Sequence, residues 1–217
     1  QKTDWWPWGG IVGDVYIVET PKQFIRNAYL QLNPENFSQA HFNLEMNDRF
    51  AGQEIHLEIP ELQFSNKFIT NSSGAITENI KITPELWSPS SPKLYEVIIS
   101  SNNESIKDEI GFRSIKTQGK KIYLNNSEIR FKGIAMHSEP IGIDGPAFSQ
   151  EHFKELLSTA KELNINFVRA AHYPYTRHLA KIADQFGLML WEEVPVYLNI
   201  DWDNSETLTI AKNQITR

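Results

Sequence analysis

The sequence predicts a multidomain β plus α/β chain: an immunoglobulin-like β-sandwich followed by the first three βα units of a (β/α)8 TIM barrel. Three observations carry this. From about residue 24 to 115 apolar and polar residues alternate with a period of two and helical spacing is absent. Near 116 the pattern changes to short apolar strands separated by helix-length amphipathic segments. Ionisable residues then follow each of the three later strands, where a barrel of parallel strands gathers its chemistry.

The elements follow in order. Residues 1–18, with Trp5, Trp6, Trp8, Gly9 and Gly10 before Asp14-Val15-Tyr16-Ile17-Val18, read as an aromatic, glycine-containing turn feeding a short strand, too little to form a core alone. Ala28-Tyr29-Leu30-Gln31-Leu32 and His41-Phe42-Asn43-Leu44-Glu45-Met46 alternate cleanly. Further strands are expected at 54–59, 75–82, 95–100 and 107–115, divided by turn residues such as Asn33-Pro34, Asn47-Asp48, Ser88-Pro89 and Asn102-Asn103. Short strands spaced roughly 8–12 residues apart are the pattern of an immunoglobulin-type sandwich, here with no cysteine pair to bridge its sheets. A hairpin around Asn125-Asn126 leads into an apolar strand at 133–136. Ser149 is placed to cap a helix whose apolar face is Phe153, Leu156, Leu157, Ala160 and Leu163, ending near Asn164. A strand at 166–169, a helix over 176–186 closed by Gly187, and a strand at 188–191 complete a β-α-β-α-β order. That order with short loops implies parallel strands joined by right-handed crossovers.

Composition narrows the function. The 217 residues are 40% apolar and carry a formal charge of -6. No basic block is present to displace counterions from a polyphosphate, so nucleic acid is not an expected partner. No apolar run reaches the roughly 18 residues of a membrane span, and no charged start with an apolar stretch marks a leader. The absence of cysteine excludes disulfides, thiolate zinc sites and cysteine nucleophiles. Localisation stays open; periplasmic or secreted placement is compatible with the sequence. Because position 1 is Gln, the chain is expected to be a piece of a longer protein.

The candidate site residues are those at the strand ends: His137 after the first barrel strand, Arg169, His172 and Tyr173 after the second, Glu192 and Glu193 after the third. Singly, each has a structural reading, since a lone histidine after a strand packs and an acidic pair is hydrated. Their arrival from three strands at one end of the sheet is what sets them apart.

The run Asn166-Phe167-Val168-Arg169-Ala170-Ala171-His172-Tyr173-Pro174, followed by Asp184, Gly187 and the apolar stretch 188–191, resembles the signature of family 2 glycoside hydrolases. That family contains β-galactosidases, β-glucuronidases and β-mannosidases. Ile110-Gly111-Phe112-Arg113-Ser114-Ile115, Leu124-Asn125 before Phe131-Lys132-Gly133, and Met136-His137 extend the resemblance. Trp8-Gly9-Gly10-Ile11 with Asp14-Val15-Tyr16 is similar to the close of the family's jelly-roll domain. Ala170-Ala171 depart from the family's more usual Thr or Cys followed by Ser, and Ala180 from a bulkier apolar residue.

The resemblance implies domains at 1–18 (end of a jelly-roll sugar-binding domain), 19–115 (sandwich) and 116–217 (start of the catalytic barrel). It implies an exo-acting, retaining β-glycosidase without an organic cofactor, acting on an oligosaccharide or glycoconjugate; no metal site is evident, and homo-oligomerisation is left open. By the same resemblance Arg169 would hold the nucleophilic carboxylate, and His172 would contact sugar hydroxyls. His137, Glu192 and Glu193 would border the sugar subsite, with the inward member of the glutamate pair undetermined. The acid/base and the nucleophile are expected beyond Arg217, so the segment alone is expected to be inactive. The rival reading is a non-catalytic carbohydrate-binding or structural module.

Overall fold

The computed structural model describes residues 8–11, 13–140, 142, 145–197 and 200–215. They fall into two compact units, one spanning Tyr16–Arg130 and the other containing the chain from Phe131 onward.

The first unit is an antiparallel sandwich. Strands β1 (Ile25–Leu32), β2 (Gln39–Met46), β3 (Glu54–Ile59), β4 (Phe64–Ile69), β5 (Ala75–Lys81), β6 (Tyr95–Ser100) and β7 (Ser105–Ile110) form sheets of order β1-β2-β5 and β4-β3-β6-β7. Alternation drives the fold directly. Ala40, Phe42, Leu44 and Met46 of β2 point inward and meet Ile55, Leu57 and Ile59 of β3 in one core, while the residues between them stay at the surface. Full burial of each large member contributes about 1.5–3 kcal/mol. No α-helix interrupts this stretch; single 3-10 turns at Asn47–Arg49 and Pro60–Leu62 join strands.

Local differences from the sequence reading have physical reasons. Asp14-Val15-Tyr16-Ile17-Val18 forms no strand, because no neighbour among the described residues offers a ladder; Ile17 is 99% exposed. The expected strand at 107–115 stops at Ile110, and Ile115 opens the next strand, β8 (Ile115–Gln118). β4 is an additional strand: as a sheet edge it buries little, so its Ser65-Asn66-Lys67 centre lacks alternation.

β8, β9 (Lys121–Leu124) and β10 (Ser127–Glu128) make a small antiparallel sheet within the same unit. It is tied to the sandwich through Trp87, which is wholly buried. Asn125 Nδ2 donates to the Trp87 carbonyl at 2.9 Å, Trp87 N–H donates to the Phe112 carbonyl at 2.9 Å, and the Arg113 guanidinium lies 4.4 Å from the Trp87 ring centre.

The second unit is a parallel sheet of β11 (Gly133–Met136), β12 (Phe167–Ala170) and β13 (Met189–Glu192), in order β11-β12-β13. Helices α1 (Gln150–Glu162) and α2 (Arg177–Phe186) connect the strands, and α3 (Ser205–Ile215) follows β13. Ser149 Oγ accepts from His152 N–H at 3.3 Å, satisfying an amide that the first turn of α1 leaves unpaired. α2 ends at Gly187 in the left-handed region (φ 70°), and Leu188 N–H reaches back to the Ala183 carbonyl at 2.9 Å. Phe153, Leu157 and Ala160 of α1 and Leu179, Ile182 and Ala183 of α2 bury against Val168, Ala170 and Leu188. Leu163 was expected on that face but is 61% exposed, because α1 ends at Glu162 and the chain turns away at Asn164 (φ 54°).

Only one face of this sheet is covered by the helices. Ile134, Val168 and Leu190 share one register row and pack towards α1 and α2. Ala135, Arg169 and Trp191 share the next row and point the other way, where Trp191 is 56% exposed. Among the described residues no helix is long and apolar enough to cross a membrane.

Candidate functional site

The C-terminal ends of the three parallel strands carry a cluster of polar side chains, and strand parity decides which ones meet. Met136, Ala170 and Glu192 occupy one register row; the residues one step further along, His137, Ala171 and Glu193, turn to the opposite face, the same face as Arg169. Glu193, not Glu192, therefore joins Arg169. Its Oε1 accepts from Arg169 Nε at 2.5 Å and its Oε2 lies 2.9 Å from His172 Nδ1. Arg169 Nη2 is 3.3 Å from the same His172 nitrogen. The His172 and Glu193 side chains are each 15% exposed, whereas the Arg169 side chain is 45% exposed.

Aromatic contacts frame this triad. The Tyr197 ring stacks on His172 at 4.2 Å and 25°, and the His137 ring meets His172 edge-on at 5.6 Å. Tyr173 lies 6.1 Å from His137, and its hydroxyl accepts Ser138 N–H at 3.0 Å. Partly buried Tyr175 donates its hydroxyl towards the Met136 and Ala171 carbonyls (2.9 and 3.1 Å), tying the end of β11 to the loop after β12; burial holds its phenol far above the usual range. The Ala171–His172 peptide is cis. Ala170 and Ala171 are 0% and 1% exposed, so the methyl groups that depart from the family pattern sit where no polar partner is required.

The two adjacent glutamates are electrostatically opposite. Burial alone would lift the Glu193 carboxyl, but hydrogen bonds from Arg169 and His172, and their charge, outweigh it and hold the carboxyl below the ordinary carboxylate range. Glu192 has no such partners, and desolvation by the surrounding chain raises it. Glu193 in turn raises Arg169, chiefly through their hydrogen bond. The arrangement thus presents a fixed anion with a guanidinium and an imidazole aimed across the uncovered face of the sheet. Such groups bind and orient hydroxyls or a second carboxylate.

Of the residues expected at the site, Arg169, His172 and Glu193 are in direct contact, His137 touches His172 through its ring, and Glu192 stands apart on the other face. Tyr197 and Tyr175 were not anticipated as site residues. Tyr175 lies two residues beyond the noted Tyr173 and forms a 5.3 Å stack with it, whereas Tyr197 sits in irregular chain with no periodic signal. Among the described residues no group of three or more His, Asp or Glu side chains is arranged to hold a metal ion. An open cleft on the sandwich, lined by Arg26, Glu45, Asp48 and Arg49, gathers no aromatic or imidazole group.

An antiparallel sandwich is followed by a parallel sheet covered by helices on one face, with polar groups at its C-terminal strand ends, which places the chain in a two-unit β plus α/β class. The family models agree: residues 23–113 match glycosyl hydrolases family 2, and residues 115–213 match the TIM barrel domain of glycosyl hydrolases family 2. The chain belongs to glycosyl hydrolase family 2. It is 28% identical to a candidate β-glucuronidase of Formosa agariphila, over 100% of this chain and 28% of that protein. It is 30% identical to a β-galactosidase of Actinobacillus pleuropneumoniae, over 86% of this chain and 18% of that protein. In fold it is similar to β-glucuronidase 3 of Bacteroides uniformis, with a TM-score of 0.71 at 23% identity, covering 92% of this chain and 26% of that one. The chain thus spans less than a third of the length of these relatives.

Proposed function

We propose that this chain is the sandwich-to-barrel part of an exo-acting, retaining β-glycosidase that removes a terminal β-linked sugar from an oligosaccharide or glycoconjugate. The observation that carries the reading is the Arg169–Glu193–His172 cluster at the C-terminal ends of β12 and β13, the rim where barrel enzymes assemble their sites. β11, β12 and β13 with α1, α2 and α3 serve as the first three βα units of an eight-unit barrel, and the uncovered face bearing Arg169 and Trp191 is its interior. Parallel sheets are covered on both faces, and among the described residues no helix covers that face, where Trp191 is 56% exposed.

In this reading Glu193 fills the Nε side of Arg169, and the N–H groups left over from Glu193 and His172 take the nucleophilic carboxylate, keeping it ionised and oriented. His172 and His137 meet hydroxyls of the terminal sugar. Glu192 lies behind the sheet and has no substrate contact. The retaining reaction needs two carboxyl groups about 5 Å apart, one to protonate the leaving oxygen and one to attack the anomeric carbon. Glu193 is committed to its cations and Glu192 faces away, so both groups come from later strands of the parent protein. Residues 1–18 are assigned to the end of a sugar-binding domain, with residues 1–7 and 12 of that stretch outside the described residues.

The test compares the parent protein with this chain on chromogenic β-galactoside, β-glucuronide and β-mannoside. Turnover by the parent with retention of configuration, and background rates from residues 1–217, are expected. Hydrolysis by the isolated chain would overturn the placement of the carboxylates, and a parent inactive on all β-glycosides would overturn the assignment.

A further inference from the structure

We propose that the outer face of the three-stranded sheet β1-β2-β5 is a carbohydrate-binding surface in its own right, one that holds a neutral oligosaccharide chain. The inference goes beyond the glycosidase reading, because it concerns the sandwich alone and stands whether or not the parent protein hydrolyses a glycoside.

Register and alternation fix what this face displays. Leu30, Phe42, Leu44, Ile76 and Ile80 turn into the core, so their neighbours along each strand turn out. Asn27, Glu45 and Ala75 lie side by side in one cross-strand row, Tyr29, Asn43 and Thr77 in the next, and Gln31, His41 and Asn79 in the third. Rows on one face recur about every 6.8 Å and strands about every 4.8 Å, which gives a platform of roughly 14 by 10 Å. Apart from the His41 imidazole, Glu45 is the only acidic or basic member of these rows, with Lys81 one row further on. The outer face of the other sheet is the opposite. There Lys67 pairs with Glu54, Lys107 with Glu96 and His56 with Glu58, a solvated surface of ion pairs.

Neutral amides, hydroxyls and an imidazole around one exposed ring are the chemistry that recognises sugar. An amide both donates and accepts, as a sugar hydroxyl does, and a tyrosine ring offers an apolar face to the C–H side of a pyranose. Tyr29 is 52% exposed, and Asn27 Nδ2 donates to its hydroxyl at 2.7 Å, which braces the ring without covering it. His41 Nδ1 pairs with Asn79 Oδ1, so both side chains are held before a ligand arrives. Beside Tyr29 lies a depression of about 90 Å³ lined by Asn27, Asn43, Glu45 and Thr77. It shares Glu45 and Ala75 with the neighbouring open cleft of about 780 Å³. Other occupants fit this face poorly. A protein partner calls for an apolar, aromatic centre, and Tyr29 and Ala75 are the only apolar side chains in the three rows. A nucleic acid strand calls for a line of cations, which these rows lack.

The experiment is proton–nitrogen correlation NMR on the 217-residue chain during titration with cello-, manno-, galacto- and xylo-oligosaccharides, and with oligogalacturonate for comparison. With at least one of the neutral chains, shifts are expected in β1, β2 and β5 and in the side-chain amides of Asn27, Gln31, Asn43 and Asn79. Tyr29→Ala should weaken that affinity about tenfold, and Asn43→Ala should act in the same direction. Glu96→Gln, on the ion-paired face, should leave it unchanged. No response to any neutral chain would overturn the proposal, and so would unaltered affinity in both variants or tighter binding of oligogalacturonate than of every neutral chain. Shifts confined to β12, β13 and the loops after them would overturn it too, placing the sugar at the Arg169 cluster alone. Broadening of β1, β2 and β5 that grows with protein concentration and ignores sugar would assign the face to a second copy of the chain instead. Because binding is read without turnover, a parent protein that hydrolyses no glycoside leaves the result standing.

Discussion

Gly111→Ala is expected to destabilise the sandwich unit by about 1–3 kcal/mol, although the same change at an unstrained exposed site usually stabilises by about 0.4–1 kcal/mol. A Cβ at position 111 would lie 2.6 Å from Cδ1, 2.8 Å from Cγ and 3.0 Å from Cβ of Trp87. Relaxed carbon contacts are about 3.5–4.0 Å, so the ring or the strand end must move by close to 1 Å. Neither is loose. Trp87 is fully buried, its N–H and carbonyl are bonded to Phe112 and Asn125, and Arg113 lies over its ring. Overpacking of this kind costs about 1–3 kcal/mol, and disturbing the guanidinium stack adds about 0.5–1 kcal/mol, which the backbone gain only partly offsets. Native-state hydrogen exchange reads the effect unit by unit. The slowest amides of β2 and β3 should exchange about 5- to 150-fold faster, with those of α1 and α2 unchanged. Unchanged or slower exchange in β2 would show that Trp87 yields freely and would refute the reasoning.

Other outcomes follow from the second unit. In the proposed parent enzyme Arg169→Ala should lower kcat by about 100-fold or more while KM changes little, because a group that orients the attacking carboxylate acts on the chemical step, where that carboxylate's charge changes, rather than on sugar binding; steady-state kinetics with undiminished kcat would remove Arg169 from that role. Phe153→Ala, at a site with no solvent exposure, should cost the second unit about 3–5 kcal/mol and speed exchange in α1 and β12 while sparing β2. The two glutamates should give opposite pH signatures. Glu193, held low, stabilises fully above the ordinary carboxylate range and loses that contribution as pH falls through its folded value, so Glu193→Gln should lower stability at neutral pH and converge with the parent sequence in acid. Glu192, held high, favours the fold in acid and loses that contribution as pH rises, so Glu192→Gln should gain stability only at neutral pH. Thermal unfolding against pH checks both, and parallel profiles would contradict the assignment.

Much of the fold was legible because burial is written as periodicity. β2 and β3 each present an unbroken alternation, and Ser149 and Gly187 mark helix ends by side-chain and backbone chemistry that few residues share. Elements whose existence depends on a neighbour were not legible. β4 buries almost nothing and exists because β3 offers it a ladder, while residues 14–18 have strand composition and no ladder to join among the described residues. The site followed the same division. Arg169, His172 and the glutamate pair stood out by position after strands, but the choice between Glu192 and Glu193 required the register that sets Ala170 beside Glu192. Trp87 was hidden in a stretch of Ser and Pro that reads as a turn, and its burial comes from Gly111, Arg113 and Asn125 arriving from elsewhere in the chain.

The tie between Asn125 and Trp87 bears on how members of this family can be recombined. The family models meet at residue 114, between the sandwich match and the barrel match. A chimera spliced there would bring Asn125 from one parent and Trp87 from another. It would also divide the pair of bonds by which Ser114 N–H reaches Asn125 Oδ1 at 3.0 Å and Asn125 N–H reaches the Ser114 carbonyl at 2.8 Å. A splice between Arg130 and Phe131 leaves all of these partners on one side, since the small sheet of β8, β9 and β10 travels with the sandwich. Libraries that shuffle sugar specificity by exchanging barrels should therefore retain more folded members when the crossover falls after Arg130.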